Sequence, residues 1–354
     1  MEQNFRAVIW ELRYVSAPGT FSTSILCFTP NYSRRSNTDS EIVANRNVDL
    51  INQTLLFEVS RRMPKGAHLH IHWNSCLPAR FLIEQARNVD AMYIRSTLPL
   101  TTPENMTKSR ISFMVLTPQE AAPLDNVWDA KYQSNRWMPY KQFQQLFDIE
   151  DENGTTLKGT SGAETWLESK MIIHEDEAYS VHQTGRGIWE KFNHRTQMMK
   201  ASRKTNGNIP FFILELFLKA ITDYPFLQGL FAYESAFRNY TRECIRDFVK
   251  DNIQYAEIRP NFMANNSLKT DDGTGSIGNE GILKIINEEL QTTMTEISKQ
   301  GDYFGGLKVI YCTPRSFKKA QIAASLDECI DLKKKYMDLI CGKLGDNMVK
   351  VRRD

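Results

Sequence analysis

Apolar and polar positions along this chain repeat with two periods, and the changes between them mark out the elements. Leu69 and Ile71 stand between His68, His70 and His72, a period of two that predicts a strand with three imidazoles on one face. Val48–Arg62 before it and Leu77–Ala86 after it read as helices. Farther on, Arg242–Asn252 is amphipathic and Ile253–Arg259 reads as a strand. Ile282, Leu283, Ile286, Leu290, Met294 and Ile297 then recur at helical spacing. Glycines open a further strand, Gly305–Cys312. Ser316 caps a long helix whose apolar stripe is Ala320, Ala323, Leu326, Ile330, Leu339 and Ile340. Strand and helix in alternation predict an α/β fold on a parallel sheet with right-handed crossovers. The order is that of an incomplete TIM-type (β/α)8 barrel, carried through about its first three strands.

Several stretches leave this rhythm. Residues 1–62 form an N-terminal segment that reads as partly disordered, then helical; 63–86 hold strand 1 and its helix. Residues 87–160 are rich in Pro, Trp and turn formers and read as an inserted module after strand 1, since so long a structureless loop is improbable in a compact domain. Residues 161–342 carry the rest of the partial barrel, interrupted at 201–228 by a stretch without amphipathic period that reads as a foreign insert. Residues 343–354 are a polar tail with no strand period.

Composition narrows the class. A hydrophobic share of 41% and a charged share of 24% are those of a globular protein, and a net charge of +2 argues against a nucleic-acid partner. The longest apolar run, Ile209–Leu218, contains Glu215 and is too short for a bilayer, so no membrane association is expected. No signal peptide is readable, because Trp10-Glu11-Leu12-Arg13 interrupts the early apolar residues; six N-x-S/T sequons point weakly to secretion. Six cysteines are scattered without a C-x-x-C, which leaves a zinc ribbon unsupported. Cys312, Cys329 and Cys341 read as buried free thiols.

Candidate chemistry concentrates at the histidines. Of six in the chain, half fall in this one strand; the others are His174, His182 and His194. Imidazoles at alternate positions can converge on a divalent ion, and zinc accepts neutral imidazole nitrogen; an edge strand that is merely histidine-rich has the same pattern. Glu257 and Arg259, two apart on their strand, read either as substrate contacts or, preferably, as a structural ion pair. Trp128, Trp137 and Trp189 could form an aromatic wall for a ligand, although core or inserted-module packing is the simpler reading.

Longer motifs carry a resemblance. Met63-Pro-Lys-Gly-Ala-His-Leu-His-Ile-His72, Asp251-Asn-Ile-Gln-Tyr-Ala-Glu-Ile-Arg259 and Gly305-Gly-Leu-Lys-Val-Ile-Tyr-Cys-Thr-Pro-Arg-Ser316 resemble the adenosine deaminase superfamily. The likeness is to its secreted-type branch, the adenosine deaminase-related growth factors and their fungal relatives. Gly187-Ile-Trp-Glu-Lys-Phe-Asn193 and Arg195-Thr-Gln-Met-Met-Lys200 match as well, in the family's order.

The resemblance implies a (β/α)8 barrel and zinc-dependent hydrolytic deamination of adenosine to inosine. It also implies that His70 and His72 are zinc ligands with His68 as their neighbour, and that the complete protein is an extracellular homodimer acting on adenosine or a related nucleoside. Asn74 stands near where many members carry an aspartate that contacts the nucleoside; with Trp189 it is a candidate for substrate binding.

The family's later motifs, H-A-G-E or H-C-G-E and I-G-H-G, do not occur in these residues, and no histidine follows His194. The match ends at Cys341-Gly342, so the chain reads as C-terminally truncated, without catalytic residues and inactive as written. The alternative is a non-catalytic pseudoenzyme that binds a nucleoside or a partner.

Overall fold

The computed structural model describes residues 51–73, 76–151, 154–172, 229–260, 262, 267–313 and 317–345. Expectations for residues 1–50 and 201–228, and for Asn74, His174, His182, Trp189, His194 and Ser316, lie outside the described residues. What is described divides into two compact units. One comprises residues 51–67 with Phe248–Gln254; the other holds the remainder.

In the smaller unit, α1 (Leu55–Arg62) starts at Thr54, whose hydroxyl accepts the Phe57 N–H at 3.1 Å, and carries Arg61 and Arg62 in its last turn. Lys65 Nζ meets Asp251 Oδ1 at 3.0 Å, and Asn252 Nδ2 donates to the Arg61 carbonyl at 2.9 Å. Gly66 opens β1 (Gly66–His72) at a φ of 73°, where a side chain would be strained.

In the larger unit, α2 (Ala79–Ala86) follows β1 as the sequence pattern predicts. The stretch after it is ordered. Strands β2 (Met92–Ser96) and β3 (Ile111–Val115), with α3 (Pro103–Lys108) between them, α4 (Pro118–Ala121) and β4 (Met138–Pro139) build a three-stranded sheet of order β3-β2-β4, antiparallel at both joints. Helix α5 (Tyr140–Leu146) leads into a hairpin of β5 (Asp148–Glu150) and β6 (Thr156–Lys158), then α6 (Gly159–Met171). Trp128 stacks on Phe143 at 5.1 Å and meets Phe147 edge-on, with Trp166 against both phenylalanines. Trp137 lies under the Arg95 guanidinium at 4.4 Å. Trp128 and Trp137 are thus packing residues.

After a 3-10 turn at Gly229–Phe231 comes α7 (Glu234–Lys250), which begins eight residues before the amphipathic stretch read from Arg242. Its extra turns are held from outside: Asp271 Oδ1 accepts the Ser235 N–H at 3.0 Å, a cap supplied from a distant loop. Strand β7 (Ile253–Arg259), the short pair β8 (Leu268–Lys269) and β9 (Ser276–Ile277), α8 (Asn279–Gln300) and β10 (Leu307–Thr313) follow. Gly301 ends α8 in the left-handed region, φ 83°, returning its N–H to Ile297 and Ser298.

The central sheet has the order β1-β7-β10-β11, with α9 (Lys319–Lys335) preceding β11 (Ile340–Gly345). The pairs β7/β10 and β10/β11 are parallel, so the α/β class and the partial, barrel-like sheet stand as expected. The structure departs from the sequence pattern after Lys335. Leu339 and Ile340 belong to no helix, and the strand runs to Gly345, into residues read as a patternless tail. Helix α9 gives out at Lys335, and the Leu339 carbonyl instead accepts Val309 N–H at 2.8 Å. The pairing then continues with a register shift between Val309 and Ile310. Backbone pairing with a distant strand produces β11, and its side-chain pattern carries little sign of it.

Candidate metal centre

Strand β1 separates its faces as the alternation predicts. Ile71 is 5% exposed and Trp73 only 2%, whereas His68, His70 and His72 are all exposed. Leu69, on the apolar face, stays 53% exposed, so burial strengthens toward the strand's end. Ile71 and Trp73 thereby fix the part of the strand that carries His70 and His72.

The two imidazoles converge. Their Nε2 atoms lie 3.3 Å apart, with ring centroids at 5.2 Å and planes inclined by 49°. Without metal this is an N–H···N contact in which one ring donates and the other accepts. The separation is also what a shared zinc requires: a Zn–N bond of ~2.0–2.1 Å and a tetrahedral angle place two ligand nitrogens about 3.3 Å apart. The pair therefore fits two positions of a zinc shell. Among the described residues no group of three or more His, Cys, Asp or Glu side chains is gathered to complete it.

The neighbouring strand supports β1 in a way sequence spacing did not show. Arg259, 8% exposed, donates from Nη1 to the Leu69 carbonyl at 2.8 Å, one residue before His70. The expected Glu257–Arg259 ion pair is absent among the described residues. Glu257 instead accepts the Tyr255 hydroxyl at 3.2 Å, and burial together with this carboxylate pushes the phenol up to about 12. Both are side-chain choices among neighbours on one face of β7, which a period of two cannot rank.

A groove of about 510 Å³ lies elsewhere, lined by residues that include Gln85, Asn88, Asp90, Asn239 and Asp271 and by none of the three strand histidines. The carboxyl of Asp272, also on its wall, is held down at about 2 by hydrogen bonds from Thr270 and Thr274. The only sequence signal for this feature is the run Asp271-Asp-Gly-Thr-Gly275, which reads simply as a turn.

An α/β fold on a parallel sheet, with a converging imidazole pair on its first strand, is the arrangement that the motifs imply. No family model matches the chain. It is similar to adenosine deaminase 2-A of Danio rerio, 21% identical over 295 residues, which cover 83% of this chain and 46% of that protein. It is likewise similar to adenosine deaminase 2 of Homo sapiens and of Pongo abelii, 22% identical over 294 residues in each case, 83% of this chain and 45% of theirs. At this low identity the similarities support the resemblance to the adenosine deaminase superfamily that the motifs carry. It spans about half the length of the curated relatives it matches. Among solved structures, an amidohydrolase from Burkholderia ambifaria with bound zinc overlaps 40% of this chain and 34% of its own, at 16% identity and a TM-score of 0.26, too slight to carry an argument. No helix among the described residues is long and apolar enough to cross a membrane.

Proposed function

We propose that these residues belong to an adenosine deaminase-type zinc aminohydrolase, with His70 and His72 as two of its metal ligands. The observation that carries this reading is the 3.3 Å spacing of the two Nε2 atoms on the first strand of a parallel sheet. Support comes from the motifs and from the relatives' names. Zinc held there would supply an acidified water as the nucleophile for hydrolytic deamination of adenosine to inosine. This chain's own residues do the holding. His70 and His72 present their imidazole nitrogens, Ile71 and Trp73 anchor the opposite face, and Arg259 ties down the backbone at Leu69. Two imidazoles are only part of a zinc shell, so weak zinc retention is expected, and without the family's acid/base glutamate motif in these 354 residues no turnover of adenosine is expected. The resemblance also favours an extracellular homodimer.

Zinc titration of the full chain, followed through the histidine ring signals in an NMR spectrum, tests the reading. His70 and His72 should shift together, and the double variant His70→Ala/His72→Ala should lose the response. An unchanged response in the double variant would remove the ligand assignment. Conversion of adenosine to inosine by the 354 residues alone would overturn the inactivity, and nucleoside binding without zinc would favour a binding protein.

A further inference from the structure

Two cysteines far apart in sequence meet beside the histidine strand. Cys76 lies in the connection between β1 and α2, half-buried; Cys244 is wholly buried on α7. Tyr240, one helical turn before Cys244 and also wholly buried, joins them. Its hydroxyl oxygen accepts the N–H groups of Cys76 at 2.8 Å and Leu77 at 3.1 Å. Tyr240 and Cys76 are also the side chains that act most directly on the Cys244 thiol. The Cys76 sulfur also faces the His72 carbonyl, at 3.6 Å. Both thiols are free.

We propose that Cys76 and Cys244 form a reversible disulfide, made by exchange with a small-molecule disulfide such as oxidised glutathione. Cys76, reachable from solvent, attacks one sulfur of the glutathione disulfide, and the first glutathione leaves as a thiol. Cys244 then attacks the Cys76 sulfur of the mixed disulfide and expels the second glutathione. Two protein thiols and one small disulfide become one protein disulfide and two small thiols. The two electrons reduce glutathione, and the two thiol protons pass to the departing sulfurs. Burial pushes the Cys244 thiol well up, which assigns the opening attack to Cys76; the Tyr240 hydrogen bond acts in the other direction and favours the resolving thiolate. The bond requires the sulfurs to close to about 2.05 Å. Cys76 lies outside any helix or strand, so the closure need not break a regular element on its side. Once formed, the link fastens the exit of β1, just beyond His72, to α7. An oxidising compartment would close it and a reducing one would leave it open.

The test is a peptide map of the full chain after incubation with oxidised glutathione, acid quenching, alkylation and digestion without reductant. The expected result is a Cys76–Cys244 linked peptide approaching one per chain, reversed by dithiothreitol. In Cys244→Ser the reaction should stop at a glutathione adduct on Cys76, and in Cys76→Ser the Cys244 thiol should remain free. A wild-type chain that keeps a stable adduct on Cys76, leaves both thiols unreacted, or links either one chiefly to Cys27, Cys312, Cys329 or Cys341 overturns the proposal. The wild-type map decides by itself should a variant fail to fold.

Discussion

Glu164 on α6 is 1% exposed and receives four donors, which makes it the sharpest test of how the stretch after β1 is held. Arg87 Nε reaches Oε1 at 2.8 Å and Arg87 Nη2 reaches Oε2 at 2.6 Å, a two-pronged pair. Arg80 Nη2 lies at 3.2 Å and Gln144 Nε2 at 3.4 Å. One carboxylate therefore ties α2, the residue following it, α5 and α6 together. Glu164→Gln keeps the shape but replaces one acceptor oxygen with an NH2 group that faces guanidinium donors. At least one charge-assisted hydrogen bond is lost, about 1.5–3 kcal/mol.

Breaking a fully buried pair costs more, about 3–5 kcal/mol, but here the partners are only partly covered. Arg80 and Arg87 side chains are 29% and 40% exposed, so their heads can turn to water. The expected destabilisation is about 2–3 kcal/mol, a fall in Tm of roughly 4–12 °C, measured by circular dichroism. Arg87→Gln should lose much of the same energy, so the double variant should fall short of additivity by at least ~1 kcal/mol. A Glu164→Gln loss below about 0.5 kcal/mol, or full additivity with Arg87→Gln, would refute this account.

Two further outcomes are expected. Phe143 is completely buried among Trp128, Tyr140, Phe147 and Trp166, so Phe143→Ala should cost about 3–5 kcal/mol and collapse the near-ultraviolet tryptophan signal; a loss under 1 kcal/mol would show a site that refills. Tyr255 and Tyr132 are both pushed up to about 12, each first by burial, while an unfolded tyrosine ionises near ~10. The folded state then holds protons that the unfolded state has shed. The stability from these phenols is fully present below pH ~10 and is lost as pH rises through about 12. Phenolate absorbance should show Glu257→Gln lowering the Tyr255 midpoint, and an unmoved midpoint would sever the link to Glu257.

Legibility in the sequence followed the range of the interaction. Ile253–Arg259 was readable to the residue, because alternation between buried Ala256 and Ile258 and half-buried Tyr255 and Glu257 is a local signal. The histidine strand was readable for the same reason. Helix α7 was legible only from Arg242, since its first turns are capped by Asp271, far along the chain. Residues 87–160 announced order through their length, too great for a structureless loop in a compact domain, while their antiparallel sheet was hidden in short strands such as Met138–Pro139.

What the sequence by itself determined is the set of local periods, the strand and helix order that makes a parallel α/β sheet, and the imidazoles on one face of β1. Only the tertiary structure decided which partners those residues meet. It turned Arg259 to the Leu69 carbonyl and away from Glu257, recruited Ile340–Gly345 as a fourth strand, and brought Cys76 beside Cys244. The physical reason is that period and propensity follow from neighbours along the chain. A hydrogen bond or a sulfur contact follows from which backbone is folded alongside, and residue spacing holds no record of that.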